Sequence, residues 1–267
     1  MTFFNSKQKI VYCSALLFLS QISFANAETI LKPKNDQDDG FLEVGLSYIV
    51  YDTAIVGEGD STPDIVINGR YQWDNLFVEA NNKVRNNAFT IGYNLYSTEY
   101  WDYDLVVTTS NSARKTTTGS SVFNRVRGAE VHQGARATGY IEDWAIQINL
   151  LPVGQANKRA TLSVGRQWQV GNWIFYGTAE IDYNSKESLS FYVNDALNND
   201  ALQRGWVPSR GMNFTGRIGT SYPLAENWVF DSFYEYTSVP SNITTNPLPI
   251  KLRNNLSTTF VSLSYVF

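Results

Sequence analysis

The chain has 267 residues, of which 43% are hydrophobic, 14% are aromatic and only 17% are charged, and its formal net charge is -4. This composition excludes a disordered polypeptide, and no apolar run after the first thirty residues is long enough for a membrane-spanning helix. The acidic balance and the lack of any nucleic-acid-binding motif argue against a nucleic-acid partner.

Residues 1–27 have the features of a secretory signal peptide. Two lysines precede the apolar run 10–19, and the small-residue site Ala25-Asn26-Ala27 follows it. We expect cleavage after Ala27 and export beyond the inner membrane. The single cysteine, Cys13, lies inside this segment, so the mature chain has no disulfide and no thiol chemistry.

Residues 28–40 form a polar leader, which we expect in the periplasm, and residues 41–267 form one domain. In this domain, apolar residues recur at every second position over segments of about ten residues, which is the period of a β-strand with two unlike faces. Leu42, Val44 and Leu46, for example, alternate with Glu43 and Gly45. Twelve segments are predicted as strands: 41–52, 64–72, 75–82, 87–96, 101–109, 131–140, 144–152, 160–169, 173–183, 211–222, 228–237 and 258–267.

A soluble sandwich also shows alternating strands, so alternation alone does not identify the environment. Here the apolar face carries large aromatic residues at the strand ends, which is typical of a lipid-facing band with aromatic girdles. The predicted fold is an all-β, antiparallel transmembrane β-barrel of about twelve strands with both termini in the periplasm. Ten or fourteen strands stay open, because segment 131–140 is weakly patterned and 184–210 has room for a further hairpin.

The tryptophans indicate one membrane interface. Indole rings combine an apolar body with a polar N–H and concentrate at the boundary between water and lipid. Six of the seven tryptophans lie at strand ends next to short turns, and only Trp206 does not. The predicted interface belt, at the periplasmic end, consists of Trp73, Trp101, Trp144, Trp168, Trp173 and Trp228. Arg166 shares a face with Leu162 and Val164, and we expect its guanidinium to reach the interface, or a bulge to turn it inward.

The second face of the strands carries charged residues at mid-strand, which predicts a polar lumen. Eight of these residues are acidic and three are basic. The predicted lumen charges are Glu43, Arg70, Glu79, Asp102, Asp104, Arg136, Glu180, Asp182, Arg217, Asp231 and Glu235. An open lumen with this balance would favour cations, but we expect side chains or a folded-in loop to pair these charges and to fill most of the lumen.

Connection lengths alternate along the chain. Short connections that are rich in turn residues alternate with generally longer ones, notably about 110–130, 184–210 and 238–257, whereas the connection near Lys83 is short. Short periplasmic turns and long outer loops are the expected asymmetry of a bacterial outer-membrane barrel. The last strand places four apolar residues on one face and ends in Phe, which resembles the signal that the outer-membrane insertion machinery recognises: Val261, Leu263, Tyr265 and Phe267.

Short motifs of glycine, proline, aromatic and turn residues are distributed over most of the mature chain: Gly45, Tyr51-Asp52, Gly57, Pro63, Tyr71, Glu187-Ser188, Phe191-Tyr192-Val193, Gly219, Tyr222, Leu224, Asn227-Trp228, Asn246-Pro247-Leu248 and Tyr265-Val266-Phe267. In these residues the chain resembles the MipA/OmpV family of MltA-interacting outer-membrane proteins. The resemblance implies an outer-membrane barrel that acts as a scaffold and joins a murein transglycosylase to murein synthase.

We expect no enzymatic activity, no cofactor and no metal site. His132 is the only histidine, no patterned serine accompanies it, and Asp102 and Asp104 share one lumen row, where a solvated or arginine-paired role is more ordinary than catalysis. The predicted partners are outer-membrane lipid, the insertion machinery during assembly, and the two murein enzymes. Two alternatives stay open: a narrow cation-preferring channel, and a surface adhesin that acts through its long outer loops.

Overall fold

The computed structural model describes residues 40–52, 59–81, 83, 89–110, 130–154, 159–185, 209–244 and 253–267. The signal peptide, most of the leader, Trp206 and large parts of the long outer loops lie outside these ranges, as do several residues of the family resemblance. The strands are β1 (Gly40–Asp52), β2 (Gly59–Trp73), β3 (Leu76–Asn81), β4 (Phe89–Ser97), β5 (Trp101–Ser110), β6 (Glu130–Ile141), β7 (Trp144–Gly154), β8 (Arg159–Val170), β9 (Trp173–Asn184), β10 (Gly211–Pro223), β11 (Trp228–Ser238) and β12 (Asn255–Val266).

The strands form one closed antiparallel barrel, in which each strand pairs with its neighbours in the sequence and β1 pairs with β12. The prediction of an antiparallel barrel of about twelve strands is confirmed. A single helical turn, α1 (Ser241–Thr244), follows β11. None of the helical structure in the described ranges is both long and apolar enough to cross a membrane.

Alternation along each strand separates the two faces of the wall. In β1, Leu46 and Tyr48 are exposed outside the barrel, whereas Glu43 and Ser47 are buried inside it. The same outward row of exposed large apolar side chains recurs around the barrel. The apolar exterior and the polar interior reverse the arrangement of a soluble protein and match that of a membrane barrel.

Tight turns connect the strands at one end of the barrel, which we call the short-turn rim: residues 74–75, 98–100, 142–143, 171–172 and 224–227. Asp74, Glu142 and Gly171, which open the two-residue turns, have φ angles of 53°, 53° and 62°. A positive φ at this position gives a hairpin turn the twist of its flanking strands. β1 begins at this rim, because Gly40 pairs with Tyr71, and β12 ends there, because Val266 pairs with Glu43. The opposite end is called the loop rim.

β2 is longer than expected at the loop rim. It starts at Gly59 rather than at residue 64 and continues to pair with β1 through a polar stretch that carries no apolar alternation. Pro63 is tolerated within this stretch, because β3 pairs with β2 only from Asn68 onward and a proline donates no hydrogen bond.

The weak pattern of β6 has a structural cause. The β6–β7 register shifts between Gln133 and Ala135, and a Cβ atom at Gly134 would lie 1.9 Å from the Leu150 carbonyl oxygen. This bulge interrupts the period of two. At the other end of the strand, the indole of Trp101 covers Gly139, so small residues replace the usual large apolar ones.

Candidate functional site

All eleven charges of the predicted lumen row alternate with the exposed apolar residues and therefore face the barrel interior. Eight of them are buried, and Arg70, Asp102 and Glu180 are partly buried. Burying an unpaired charge is costly. The partners of these residues therefore determine whether the interior is a packed core or a charged channel.

One ion-pair cluster joins four strands near the middle of the wall. Arg136 donates to Glu79 at 2.7 Å and 3.2 Å and to Asp104 at 3.0 Å, and Arg70 donates to Glu79 at 2.9 Å. Two guanidinium groups thus share one carboxylate, and their fork-shaped donors suit this geometry.

The ring of Phe77 lies between the two guanidinium groups of this cluster. The guanidinium carbons of Arg70 and Arg136 are both 4.8 Å from the ring centroid, which is cation–π distance. The ring covers the backbone of Gly92, where an added Cβ would lie 2.0 Å from the Phe77 ring. A glycine is therefore required opposite Phe77.

Lys83 forms a second cluster, although it belongs to the β3–β4 connection and not to a strand. Its ammonium lies 2.7 Å from Glu43 Oε1 and 2.5 Å from Asp231 Oδ2. Asn68 donates to the other Glu43 oxygen at 2.9 Å, and Ser221 donates to Asp231 at 2.6 Å. Burial disfavours the charged ammonium, but Asp231 and Glu43 outweigh burial and raise the pKa of Lys83 above its ordinary value.

Two further ion pairs line the wall between β8 and β11. Arg217 pairs with Glu235, and Arg159 forms two hydrogen bonds with Asp182, at 2.7 Å and 3.0 Å. The guanidinium of Arg217 also lies 4.5 Å from the centroid of the Phe233 ring. The paired groups come from adjacent strands, so these bridges also hold the barrel register.

The two remaining acids accept hydrogen bonds from hydroxyl groups. Ser97 donates to Asp102 at 2.6 Å, and Ser163 donates to Glu180 at 3.0 Å. Asp102 lies towards the short-turn rim, where its carboxylate is only partly buried. Every predicted lumen charge therefore has an identified polar neighbour.

Sequence reasoning missed two interior cations, Lys83 and Arg159. Arg159 precedes Thr161 and Ser163 in the same inward parity, so extending the predicted strand by one residue would have included it. No periodic signal marks Lys83, because its position depends on how a loop folds into the barrel.

Apolar side chains fill the space between the polar clusters. The Phe233 and Phe260 rings stack with centroids 4.6 Å apart, and they belong to a buried cluster to which five strands contribute. The members of this cluster are Val66, Ala145, Tyr176, Phe233 and Phe260. Side chains from β2 and from β7 thus pack in one core inside the wall.

Two cavities inside the barrel are very small. One is bordered by Thr108, Asn149 and Arg159, the other by Asp102 and Tyr140, and each has a volume of about 10 Å³. A cavity of this size has room for about one water molecule. Around these two cavities, the barrel interior resembles a packed core more closely than a channel.

The six tryptophans of the predicted interface belt lie at the short-turn rim and face outward. Five are exposed, by 40% to 69%, and Trp101 is partly buried against Gly139. Trp168, Phe175 and Trp173 form a continuous stack with centroid spacings of 6.2 Å and 6.3 Å. This part of the belt is therefore a packed aromatic stack.

Arg166 points outward beside the interface belt. β8 has a continuous register with both neighbours, so no bulge turns Arg166 inward. Its guanidinium lies 5.4 Å from the Trp144 ring centroid and 3.6 Å from Asp143 at the rim. The long side chain thus carries its charge to the rim, as the snorkelling expectation requires.

The short-turn rim carries exposed acids. Four of its five turns contribute at least one carboxylate, and the described turn residues include no lysine or arginine. The exposed acidic residues are Asp74, Glu99, Glu142, Asp143 and Glu226. Asp143 lies close to the outward-facing Arg166 of β8.

The four apolar residues of the last strand share the outer face. Tyr265 packs edge-on against Trp228 and Phe267, and the Phe267 N–H donates to the Leu42 carbonyl oxygen at 2.8 Å. Val261 and Leu263 are exposed on the same face. The C-terminal residue thus joins the closing strands at the short-turn rim.

Candidate catalytic groups are separated or engaged in ion pairs. His132 is buried in β6 opposite Thr108, near the loop rim, and Asp104 is held by Arg136. Within the described ranges, no group of three or more His, Cys, Asp or Glu side chains is arranged to hold a metal ion.

A closed barrel with an apolar exterior, a polar interior and an aromatic rim defines an outer-membrane β-barrel. A family comparison then gives the particular family. The model of the family described as "MltA-interacting protein MipA" matches residues 44–267, so the chain belongs to the MipA family. The family resemblance found in the sequence is confirmed. The predicted localisation in the outer membrane is confirmed as well. Comparison with curated proteins gave no match.

Solved outer-membrane proteins are similar to this chain at low identity. The NanC porin is 8% identical with a TM-score of 0.49, and the alignment covers 84% of this chain and 98% of NanC. OmpT of Vibrio cholerae is 9% identical with a TM-score of 0.37, covering 90% and 100% of the two chains. OprD of Pseudomonas aeruginosa is 11% identical with a TM-score of 0.37, covering 84% of this chain and 65% of OprD.

Proposed function

We propose that this barrel is a non-catalytic scaffold of the cell envelope that binds a murein transglycosylase and a murein synthase. Membership of the family of MltA-interacting proteins carries this proposal. In the proposed orientation, the signal peptide is removed after Ala27 and both ends of the mature chain lie in the periplasm. The short-turn rim then faces the compartment in which murein enzymes work.

The charge of the short-turn rim supports a binding role. The exposed acids Asp74, Glu99, Glu142 and Glu226 lie on four different turns, and the described turns have no basic residue. Such a one-signed surface attracts a partner with a basic face and speeds its encounter with the rim. Because these charges are exposed, binding should weaken as the salt concentration rises.

The packed interior supports binding rather than transport. Five interior cations are held close to acids, and an apolar cluster packs between the walls. A rigid, filled barrel holds its turns in fixed positions, so the rim is preorganised for a partner.

Affinity capture tests the proposed role of the rim. The tested variant combines Asp74→Asn, Glu99→Gln, Glu142→Gln and Glu226→Gln, which removes four charges and preserves side-chain size. We expect the amount of co-purified murein transglycosylase to fall about tenfold, since four exposed charge contacts together contribute roughly 1 to 4 kcal/mol.

The matched control combines Asp60→Asn and Asp64→Asn, two exposed acids at the loop rim. This control should capture the transglycosylase as well as the wild-type barrel does. Equal capture by the wild-type barrel and the rim variant would contradict a scaffold that binds through its short turns.

A further inference from the structure

Glu43 and Asp231 approach one another inside the barrel across β12. Glu43 lies on β1 and Asp231 on β11, the two strands that flank β12, and their exposed fractions are 0% and 1%. Asn68 holds the first carboxylate and Ser221 holds the second, as described above. Two carboxylates are thus fixed at one buried location.

Among the described residues, Lys83 is the cation that contacts these two carboxylates, and one ammonium neutralises only one of them. Lys83 contacts both carboxylates, at 2.7 Å and 2.5 Å, so two negative charges share one positive charge. A buried site with net negative charge is unfavourable unless a proton or a further cation neutralises it. The electrostatics therefore favour a cation of higher charge than a lysine.

Two serine hydroxyls provide further oxygen atoms next to the carboxylates. Ser262 pairs with Asp231 in the β11–β12 register, and Ser264 is a diagonal neighbour of both Asp231 and Glu43. Their exposed fractions are 3% and 0%. Within the described part of the chain, neither hydroxyl has a hydrogen-bond partner, although both lie deep inside the wall. Buried hydroxyls without a protein partner are uncommon, and their oxygen atoms are available to a ligand.

We propose that Glu43, Asp231, Ser262 and Ser264 form a binding site for a hard divalent cation, which Lys83 occupies as a tethered substitute. Carboxylate and hydroxyl oxygens are ligands for hard cations, and calcium accepts irregular sets of such oxygens. A divalent ion would neutralise both carboxylates, whereas the ammonium neutralises one. Lys83 comes from a connection, so it can leave without breaking the strand pairing.

Calcium binding by the Lys83→Met barrel tests the site directly. We expect the detergent-solubilised variant to bind about one equivalent of Ca²⁺ in equilibrium dialysis, with an affinity at least about tenfold above that of the wild type, because the competing ammonium is gone. Adding Glu43→Gln and Asp231→Asn to the variant should abolish this binding.

Arg159→Met is the matched control, because it also removes an interior cation and leaves Asp182 behind. If this control gains as much calcium binding as Lys83→Met, the effect reflects general interior charge and the proposal is wrong. No gain in the folded Lys83→Met barrel would also overturn the proposal.

The wild-type barrel offers a measurement that needs no substitution at Lys83. Calcium should displace the ammonium, so millimolar Ca²⁺ should increase the acetylation of Lys83 by an amine-reactive reagent, measured by mass spectrometry. The increase should disappear in the Glu43→Gln variant. Unchanged acetylation of wild-type Lys83 in calcium would contradict a site for which ion and lysine compete.

Discussion

At the scale of single residues, the interior depends on shared charges. Glu79 accepts hydrogen bonds from Arg70 and Arg136, and Arg136 also donates to Asp104. The four side chains therefore form one connected network of ion pairs. Removing one member leaves a buried charge behind. Such a change lowers the free energy of unfolding more than the loss of a solvent-exposed ion pair does.

Arg136→Met should therefore lower the free energy of unfolding by about 3 to 5 kcal/mol, because Asp104 loses its guanidinium in a buried environment. The measurement is denaturant unfolding of the barrel refolded in lipid vesicles. Arg166→Met is the control, because its pair with Asp143 is about half exposed, and it should cost less than about 1 kcal/mol. Equal losses in the two variants would show that the interior cluster stabilises no more than a surface pair.

Sequence alternation was enough to assign the eleven charges to one face, but it could not pair them. Cross-strand partners depend on the register between strands, and a shift of one residue moves every side chain of the strand to the opposite face of the sheet. The contact between Lys83 and Asp231 joins residues 148 positions apart, through a connection with no periodic pattern. Arg159 was missed for a simpler reason: it lies one residue before the predicted start of its strand.

At the scale of strands and turns, the two rims of the barrel differ in their residue composition. Tight turns with positive φ, tryptophans and acids lie at one end, and the longer connections lie at the other. The sequence predicted about twelve strands because most of them show the period of two, whereas the bulge at Gly134 weakens it in β6. The boundaries were less accurate where polar residues extend a strand beyond the apolar band, as in Gly59 to Pro63 of β2.

The orientation of these rims can be measured with single cysteines, because the mature chain is expected to contain none. Ser61→Cys lies on the loop rim and Asn172→Cys in a short turn, and both positions are exposed. We expect a membrane-impermeant maleimide to label Ser61→Cys in intact cells and Asn172→Cys only after the outer membrane is permeabilised. Labelling of Asn172→Cys alone in intact cells would show that the proposed orientation is inverted.

At the scale of the whole molecule, the barrel combines a lipid-facing exterior with a packed interior. The five cation-centred contacts and the apolar cluster of β2, β7, β9, β11 and β12 occupy the space that a porin leaves to water. The sequence showed an excess of acids on the inward face but not whether they are paired. This filling is why we favour a scaffold over a cation-preferring channel.

Planar-bilayer recording of the purified barrel tests this account most directly. We expect no reproducible current steps from the wild-type protein, because paired side chains and packed rings occupy the interior. A preparation that captures the transglycosylase and stays electrically silent would agree with a filled scaffold. Reproducible cation-selective steps from the folded barrel would contradict it.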